Sequence, residues 1–316
     1  MQPPEPPQQP RDARGQGGPP GSFQLDRAGV RRSFERASLG YDAAAVLQAR
    51  VRAELLDRLR LIRVEPALVL DLGCGTGEGA RQLKRRYPRA RTLALDIAPG
   101  MLREARRRSR AFRRFERVCG DAYRLPLADA STDLIFSNLL LQWCDAPDAV
   151  LAEIRRVLRA GGFFTFSTLG PDTLSELRAA WTAADDATHV NAFLDMHDVG
   201  DALTRAGFAE PVLDVERFTL CYADVHGLTR DLKAVGAHNV TAARNRGLTG
   251  RGKWRAMTDT YETFRRDGRL PATYEVIYGA AWSREARTGS GQGESAAPVG
   301  GEVRISPASI RRRLRP

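Results

Sequence analysis

The chain contains the stretch Val69-Leu70-Asp71-Leu72-Gly73-Cys74-Gly75-Thr76-Gly77, in which an apolar run leads directly into alternating glycines. A helical pattern follows and continues to Tyr87. Glycine lets the backbone approach a ligand closely and accepts positive φ, and the start of a helix offers free N–H groups. The order of strand, tight turn and helix therefore predicts a ligand site at this turn.

A second apolar run, Thr92-Leu93-Ala94-Leu95-Asp96, ends in an acid. In a doubly wound sheet an acid at this place meets ribose hydroxyls, and it repels a 2′-phosphate, which disfavours NADP. The turn also lacks the third glycine of the dinucleotide spacing, because Gly73 and Gly75 are followed by Glu78. The two motifs predict a ligand that contains a nucleoside, and the turn alone leaves NAD open.

Strand and helix patterns alternate through the middle of the chain with short connections. Predicted strands cover 67–72, 92–96, 115–119, 132–137 and 163–169, with helices over 76–87, 100–110 and 147–158. This alternation predicts an α/β fold with a parallel sheet and right-handed crossovers. Ligands of such sheets bind at the carboxyl ends of the strands. The predicted ends are polar or contain glycine, and they lie at 71–77, 96–98, 120–122 and 137–140.

Other segments flank this core. A Pro-, Gln- and Gly-rich arm over 1–22 and a basic tail over 283–316 have little to bury, which predicts disorder. Residues 23–61 show helical periodicity and are expected to cover the ligand cleft, with one helix running from Tyr41 to Leu61. Helices over 172–184 and 196–206 and a strand over 211–222 follow the core. Residues 225–264 are expected to be mostly helical, with breaks at Gly236, Gly247, Gly250 and Gly252, before a last strand over 273–282.

The 316 residues are 42% hydrophobic and 28% charged, which is typical of a soluble globular protein. No apolar run approaches the roughly 20 residues of a membrane span, and the N-terminus lacks the apolar core of a secretory signal. The four cysteines form no C-x-x-C pair, which predicts no metal site and favours a cytoplasmic location with reduced thiols. The net charge of +11 indicates either a biased composition or an acidic partner.

Four motifs together resemble the class I S-adenosylmethionine-dependent methyltransferases: the glycine turn, Asp96, Gly120-Asp121-Ala122 and the strand that leads to Asn138. The resemblance spans residues 69–169. It implies a Rossmann-like sheet of seven mostly parallel strands, one of them antiparallel, with helices on both faces and S-adenosylmethionine across the strand ends. The implied cofactor-binding residues are Asp71, Gly73, Cys74, Gly75, Gly77, Asp96, Ile97, Met101, Asp121, Ala122 and Asn138. In that family's pattern the glycine turn holds the methionine part, Asp96 the ribose, and Asp121 with Ala122 the adenine, which Ile97 and Met101 flank.

A closer resemblance is to the malonyl-acyl carrier protein O-methyltransferases of biotin synthesis. The segments that carry it are SNLLLQWC at 137–144, STLG at 167–170, THVNAF at 188–193, DLKAVGA at 231–237 and PATY at 271–274. This resemblance runs from about residue 32 to residue 282. The chain departs from the pattern in its Pro/Gln-rich arm, its basic tail, and Ala160 where many relatives have proline.

The resemblance implies methyl transfer from S-adenosylmethionine to the free carboxylate of a malonyl thioester. Such a carboxyl, with a pKa of roughly 4, is ionised near neutrality, so positioning groups are expected instead of a general base. The candidate catalytic residues are Tyr41, Gln142, Lys233 and Arg244, with Arg230 as a further cation and Trp143 beside the transferring methyl. The four histidines, His189, His197, His226 and His238, are interpreted as structural.

The resemblance also names a partner, malonyl-acyl carrier protein or malonyl-coenzyme A. Carrier proteins of this kind are acidic, which suits a cationic face on the enzyme; the basic clusters at 81–91 and 103–117 and the cations of 225–266 are candidates. No nucleic acid, no membrane and a monomer are expected. Two alternatives stay open: a protein-arginine hydroxylase like those of respiratory complex I assembly, and a non-catalytic S-adenosylmethionine-binding assembly factor.

Overall fold

The computed structural model of the protein describes residues 25–109, 114–237 and 249–284. Within these residues the helices are α1 (Arg27–Ala37), α2 (Tyr41–Ala44), α3 (Val46–Arg58), α4 (Glu78–Arg86), α5 (Pro99–Arg107), α6 (Pro147–Val157), α7 (Ser175–Thr182), α8 (Met196–Arg205), α9 (Val225–Ala234) and α10 (Arg251–Glu262). The strands are β1 (Leu68–Leu72), β2 (Arg91–Asp96), β3 (Glu116–Cys119), β4 (Thr132–Asn138), β5 (Leu158–Leu169), β6 (Phe208–Tyr222) and β7 (Leu270–Ser283). None of the described helices is long and apolar enough to span a membrane.

The seven strands form one sheet in the order β3-β2-β1-β4-β5-β7-β6. The pairs β1–β2, β1–β4, β2–β3 and β4–β5 are parallel, and β7 runs antiparallel to both β5 and β6. The prediction of a seven-stranded sheet with one antiparallel strand is confirmed. The strand order reverses between β1 and β4, and this switch point is where ligands of open α/β sheets bind.

Both faces of the sheet are buried. Val69 and Leu134 point to the face that packs with α3, α7 and α10, whereas Leu70 and Ile135 point to the opposite face, with α6 and α8. Successive side chains of a strand alternate between faces, so a strand covered on both sides needs the continuous apolar run that 68–72 provides. The sheet is therefore held from both sides, and its strand ends are rigid supports for a site.

Short polar residues and prolines begin several helices. The side chains of Asp26, Asp195 and Asp224 accept hydrogen bonds from backbone N–H groups in the first turns of α1, α8 and α9, a cap that contributes about 1 kcal/mol each. Pro99 and Pro147 lie in the first turns of α5 and α6, where the missing proline N–H has no helical partner to lose.

Several boundaries differ from the sequence predictions. The helix expected from Tyr41 to Leu61 is interrupted at Ala45, whose ψ of 47° ends α2 before α3 begins. The connection between the predicted helix over 147–158 and the predicted strand over 163–169 is part of β5: Gly161 has a φ of 69° within the strand, and the register with β4 shifts there. The break expected at Gly252 is wrong, because Gly252 lies within α10.

The breaks at Gly236 and Gly250 are confirmed, since the first has a φ of 73° and the second precedes α10 as its cap. The helix expected from residue 172 begins at Ser175. Gly247 and the predicted arm over 1–22 lie outside the described residues. So does the tail from residue 285 on, whereas Ser283, placed in the tail by the sequence pattern, ends β7 and is 1% exposed.

Candidate active site

A cavity of about 820 Å³ opens at the carboxyl ends of β1, β2 and β4. Its cofactor half is lined by Gly73, Gly75, Asp96, Ile97, Met101, Asp121, Ala122 and Asn138. Its acceptor half is lined by residues from β6, β7 and the segments that follow β5 and β6: Leu177, Trp181, Asp185, His189, Tyr222, Lys233, Lys253, Trp254 and Tyr274. The N-terminal cover, which consists of α1, α2 and α3, supplies a third wall through Val30, Phe34, Tyr41 and Leu47.

The glycine turn has the geometry that its sequence predicts. Gly73, Gly75 and Gly77 all have positive φ, at 74°, 53° and 76°. The backbone N–H groups of Gly73 and Cys74 both donate to the carbonyl of Leu95 at 2.9 Å, which fixes the turn against β2. Positive φ is inexpensive only for glycine. The turn thus places bare backbone on the cavity wall at Gly73 and Gly75.

Asp96 ends β2 and is 9% exposed. Its Oδ2 accepts a hydrogen bond from the N–H of Gly75 at 2.8 Å, and its Oδ1 accepts one from Ala98 at 2.9 Å. Burial raises the pKa of Asp96 to about 6, although these N–H groups oppose the shift. The carboxylate is held rigidly on the cavity wall, in a position to accept hydrogen bonds from hydroxyl groups of a ligand.

Three of the predicted cofactor-binding residues lie behind the turn and do not line the cavity: Asp71, Cys74 and Gly77. A Cβ on Gly77 would approach Phe115 and Ala105 to within 2.9 Å, so this glycine allows close packing against α5. Burial raises the pKa of the Cys74 thiol well above its ordinary value, which keeps it protonated. The sequence motif included these three residues, but packing places them on the side of the turn that faces away from the cavity.

Asp71 is a buried carboxyl beside α4. A Cβ on Gly79 would lie 2.7 Å from its Oδ2, and that oxygen has no hydrogen-bond partner among the described residues. Burial raises the pKa of Asp71 to about 7, while the N–H of Ala80 and the charge of Arg52 oppose the shift. Arg52 on α3 was not predicted from the sequence; it is itself half-buried, and burial lowers its pKa.

Asp121 follows β3 and is bound by the cover. Arg27, at the start of α1, donates to its Oδ2 at 2.6 Å, and the guanidinium lies 3.8 Å from the centroid of the Tyr123 ring. The N–H of Tyr123 donates to the other oxygen at 3.0 Å. Nothing in the sequence pattern pointed to Arg27, because the two charges are 94 positions apart.

Further contacts attach the cover to the sheet. Glu35 accepts from the N–H of Gly100 at 2.5 Å and also pairs with Arg103. The carboxylate of Asp42 accepts from the hydroxyl of Thr76 at 2.6 Å and pairs with Arg108. These contacts place Tyr41 against the glycine turn, where a Cβ on Gly75 would be 3.9 Å from its ring.

Tyr41 lines the cavity, and burial, together with the charge of Asp96, raises its pKa to about 12. Its hydroxyl therefore keeps its proton near neutrality and is a hydrogen-bond donor. Asn138 and Gln142 lie beyond it, at the end of β4. The amide of Asn138 donates to the carbonyl of Gln48 at 3.1 Å and accepts from Ser167 at 3.0 Å, so its orientation is fixed by α3 and β5.

Gln142 lies in a short 3-10 turn, Leu141–Trp143. Its Oε1 accepts from Thr168 at 3.3 Å, which leaves the amide nitrogen free to donate. The Trp143 ring packs edge-on to Phe34, with 5.2 Å between the ring centroids. Both Gln142 and Trp143 line the cavity, as their place after β4 predicts.

Lys233 and Arg244 are the two cations among the candidate catalytic residues. Of these the structure describes Lys233, which lines the acceptor half of the cavity. Its amino group has no ion pair with any described residue. Arg230 and Lys233 lie on the same helix and are both exposed, but Arg230 does not line the cavity. Arg244 and His238 lie outside the described residues.

A cluster in the acceptor half was not predicted. The Nε2 atom of His189 lies 2.7 Å from Oδ1 of Asp185, and Lys253 donates to Oδ2 of Asp185 at 3.0 Å. The ring of His189 stacks on Trp181, with 3.7 Å between centroids. His189 lies in the segment 188–193, which is one of the segments that carry the closer family resemblance. That segment was the feature of the sequence from which this cluster could have been predicted.

The basic clusters on α4 and α5 are largely engaged within the protein. Pairs with acidic side chains hold Arg81, Arg91, Arg103, Arg107 and Arg108. Lys84 donates to the carbonyls of Pro88 and Ala90. Much of the positive charge that the sequence shows in these clusters therefore serves internal contacts.

The family described as "Methyltransferase domain" matches residues 70–166, the part of the chain that contains the cofactor half. A Bacillus halodurans protein described as a methyltransferase has a similar solved structure, with a TM-score of 0.53, 19% identity, and coverage of 74% of this chain and 98% of the other. This likeness shows the fold.

Curated relatives are much closer in sequence. The malonyl-[acyl-carrier protein] O-methyltransferase of Laribacter hongkongensis is 56% identical over 84% of this chain and 92% of its own. The protein of the same name from Methylovorus is 54% identical with the same coverage. This identity, over a cavity with the predicted nucleoside-binding acid and glycine turn, means that the chain belongs to the malonyl-[acyl-carrier protein] O-methyltransferase family and is a methyltransferase that uses S-adenosylmethionine.

Proposed function

We propose that this protein transfers the methyl group of S-adenosylmethionine to the free carboxylate of a malonyl thioester on acyl carrier protein. The product is the malonyl methyl ester that primes pimeloyl and biotin synthesis. The observation that carries the proposal is a single cavity in which a nucleoside-type half adjoins an acceptor half lined by Lys233, a cation with no ion pair among the residues that the structure describes. The names of relatives at 47–56% identity support it.

The residues of the cofactor half fit the methyl donor. Bare backbone at Gly73 and Gly75 admits close approach, and the fixed carboxylate of Asp96 suits ribose hydroxyls. We assign the adenine to the pocket of Asp121 and Ala122, with Ile97 and Met101 against the ring faces. When bound, S-adenosylmethionine supplies an electrophilic methyl group on a sulfonium sulfur.

Asp71, Cys74 and Gly77 have an indirect role in this assignment. The buried side chains of Asp71 and Cys74, and the close packing that Gly77 allows, support the turn on the side away from the cavity. We propose that they set the position of Gly73 and Gly75 and do not touch the methyl donor with their side chains.

The acceptor carboxylate needs no general base, because an ordinary carboxyl with a pKa of roughly 4 is already ionised at pH 7. The work of the protein is to remove water from one carboxylate oxygen and to hold it in line with the methyl group. We assign Lys233 to bind the carboxylate. Methylation removes the negative charge, so the same contact no longer retains the product.

Tyr41 and Gln142 are donors in this arrangement. The phenol of Tyr41 keeps its proton, and the amide nitrogen of Gln142 is not used by Thr168. Hydrogen bonds from these two groups can hold the second oxygen of the acceptor carboxylate while the first reacts. A role for Arg244 beside Lys233 stays a prediction from the sequence.

The alternatives are not favoured. A protein-arginine hydroxylase and a non-catalytic assembly factor were both compatible with the sequence motifs. Curated relatives at 47–56% identity, covering 84–94% of this chain, are named as methyltransferases. We further propose a cytoplasmic monomer that binds neither nucleic acid nor membranes. Malonyl-coenzyme A is the alternative to the carrier-bound acceptor.

The test is transfer of labelled methyl from S-adenosylmethionine to malonyl-acyl carrier protein, with acetyl-acyl carrier protein as the control acceptor that lacks the carboxylate. We expect label on the malonyl thioester only, released as methanol by mild base because the product is an ester. Absence of transfer with S-adenosylhomocysteine binding intact would overturn the proposal.

A further inference from the structure

The cluster around Asp185 joins two cavity-lining side chains that come from different parts of the chain. His189 follows α7, and Lys253 lies on α10, 68 positions after Asp185. The N–H of Ala187 also donates to Oδ1 of Asp185, at 3.1 Å. One carboxylate thus fixes a histidine ring and a lysine amino group beside each other on the cavity wall.

The contacts of Asp185 determine what the two groups offer to a ligand. Burial alone would raise the pKa of Asp185, but hydrogen bonds from His189 and Lys253 outweigh it and hold the pKa at about 2. An ionised carboxylate only accepts hydrogen bonds, so Nε2 of His189 carries the proton. With Nε2 facing Asp185, Nδ1 is the ring nitrogen left for a ligand and accepts a hydrogen bond whenever the ring is neutral, whereas Lys253 has further N–H groups to donate.

Aromatic rings flank this donor and acceptor. Trp181 stacks on His189 with an angle of 9° between the planes, and Trp254 lies edge-on to Trp181 with 6.2 Å between centroids. Both tryptophans line the cavity. Trp181 is 9% exposed, and the side chain of Lys253 is 50% exposed, so the cluster extends from the cavity interior towards solvent.

This arrangement suits an amide group and does not suit a carboxylate. An amide presents one N–H donor and one carbonyl acceptor, which match Nδ1 of His189 and the amino group of Lys253. A carboxylate would instead meet the negative charge of Asp185 next to both groups. The aromatic faces can bind the methylene and methyl groups between amides.

We propose that Trp181, His189, Lys253 and Trp254 form a subsite for the amide-bearing pantetheine arm of the acceptor. The proposal rests on the proposed function, because it takes the acceptor to be a thioester carried on such an arm. The arm would enter along Lys253 and lead the acyl group towards Lys233 and Gln142. Carrier protein and coenzyme A both carry pantetheine, so the subsite serves either source.

The cavity is large and extends beyond its cofactor half. Pockets for one drug-sized ligand have about 300–1,000 Å³, and about 820 Å³ is near the top of that range. The cofactor half accounts for only part of the lining. The acceptor half has walls from α7, α9 and α10, which leaves room beside the acyl group for the arm that carries it.

The first experiment compares His189→Phe with the parent protein. Phenylalanine can keep the stack on Trp181 but has no acceptor. We expect kcat/KM to fall about five- to tenfold, through KM, for malonyl-acyl carrier protein and malonyl-coenzyme A. With the malonyl thioester of ethanethiol, which lacks amides, the ratio of variant to parent should stay near one. An equal loss for all three acceptors would overturn the proposal.

The matched control is His197→Phe. His197 lies on α8 with its side chain 86% exposed and does not line the cavity, so its variant should behave like the parent with every acceptor. Lys253→Met tests the donor independently if His189→Phe fails to fold. It should weaken the same two acceptors and spare the short thioester.

A direct binding measurement separates this subsite from the proposed reaction. Free pantetheine should quench the fluorescence of Trp181 and Trp254, and its affinity should fall in His189→Phe. Saturable quenching without malonyl methylation would contradict the proposed function but support the subsite. The subsite alone would be contradicted if the protein methylates malonyl-acyl carrier protein but does not bind pantetheine, and if His189→Phe has no selective effect.

Discussion

Asp96 accepts a hydrogen bond of 2.8 Å from the backbone N–H of Gly75, which ties the end of β2 to the turn that follows β1. The carboxylate therefore shapes the glycine turn and also lines the cavity. Removal of the side chain is therefore expected both to remove the proposed ligand contact and to loosen the turn.

Asp96→Ala is expected to lower the affinity for S-adenosylhomocysteine more than tenfold, because a hydrogen bond to a charged group contributes about 1.5–3 kcal/mol. The affinity of Asp96→Asn should lie between the affinities of the parent and Asp96→Ala, since the amide oxygen can still accept a hydrogen bond from Gly75. Isothermal titration calorimetry measures both. Asp129→Ala removes an exposed acid outside the cavity and should bind like the parent; unchanged affinity in Asp96→Ala would contradict the ribose assignment.

The affinity for S-adenosylhomocysteine should depend on pH through the same carboxyl. Burial raises the pKa of Asp96 to about 6, so the acceptor form is present at pH 7.5 and is lost as pH falls through 6. We expect affinity to drop by up to about tenfold per pH unit below that value. Titrations from pH 8 to pH 5 measure it, and a parent profile identical to that of Asp96→Asn would rule out Asp96 as its source.

Asp71 should make the free protein less stable as pH rises. Its folded pKa of about 7 lies above the ordinary value of 3.8, so the folded state holds a proton that the unfolded chain has lost. The contribution to the free energy of unfolding falls between about pH 4 and pH 7 and is constant above. Asp71→Asn removes this penalty while the amide oxygen can still accept from Ala80.

The melting temperature of Asp71→Asn should therefore exceed that of the parent at pH 8, by about 2–4 °C for each kcal/mol recovered. The difference should shrink towards pH 5, where Asp71 is protonated in the folded parent. Calorimetry at the two pH values provides the measurement. A difference that does not change with pH would mean that Asp71 is not the titrating group.

Lys233→Met should raise KM for malonyl-acyl carrier protein about ten- to a hundredfold, because it removes the cation that we propose binds the acceptor carboxylate. The affinity for S-adenosylhomocysteine should not change. Arg230→Met is the matched control: this cation is on the same helix but does not line the cavity. Equal effects of the two substitutions would indicate a general loss of positive charge and not a carboxylate site.

Arg27→Ala should speed the release of S-adenosylhomocysteine about two- to fivefold, since it removes the contact between α1 and Asp121. An exposed ion pair contributes about 0–1 kcal/mol, so the melting temperature should change little. Stopped-flow displacement measures the rate. Arg32→Ala removes another exposed pair of α1, with Asp26, and should leave the rate unchanged; similar rates for both variants would exclude a specific role of Arg27.

Much of the fold could be predicted because its signals are local. The glycine turn, the apolar strands and the prolines at 99 and 147 act within a few residues, and the structure has a strand, turn or helix at each. The break at Ala45, the continuous strand through Gly161 and the continuous helix through Gly252 were not predicted. Each depends on how neighbouring elements pack, which outweighs the intrinsic preference of one residue.

By itself the sequence determined the methyltransferase fold, the acid at position 96 and the family resemblance, since these follow from periodicity and motifs along the chain. Only the tertiary structure decided that Asp71 lies behind the turn, that Arg27 meets Asp121, and that Asp185 joins His189 to Lys253. The physical reason is the packing of helices and loops that are far apart in sequence. Their side chains meet only after the sheet has brought the cover, α7 and α10 around one cavity.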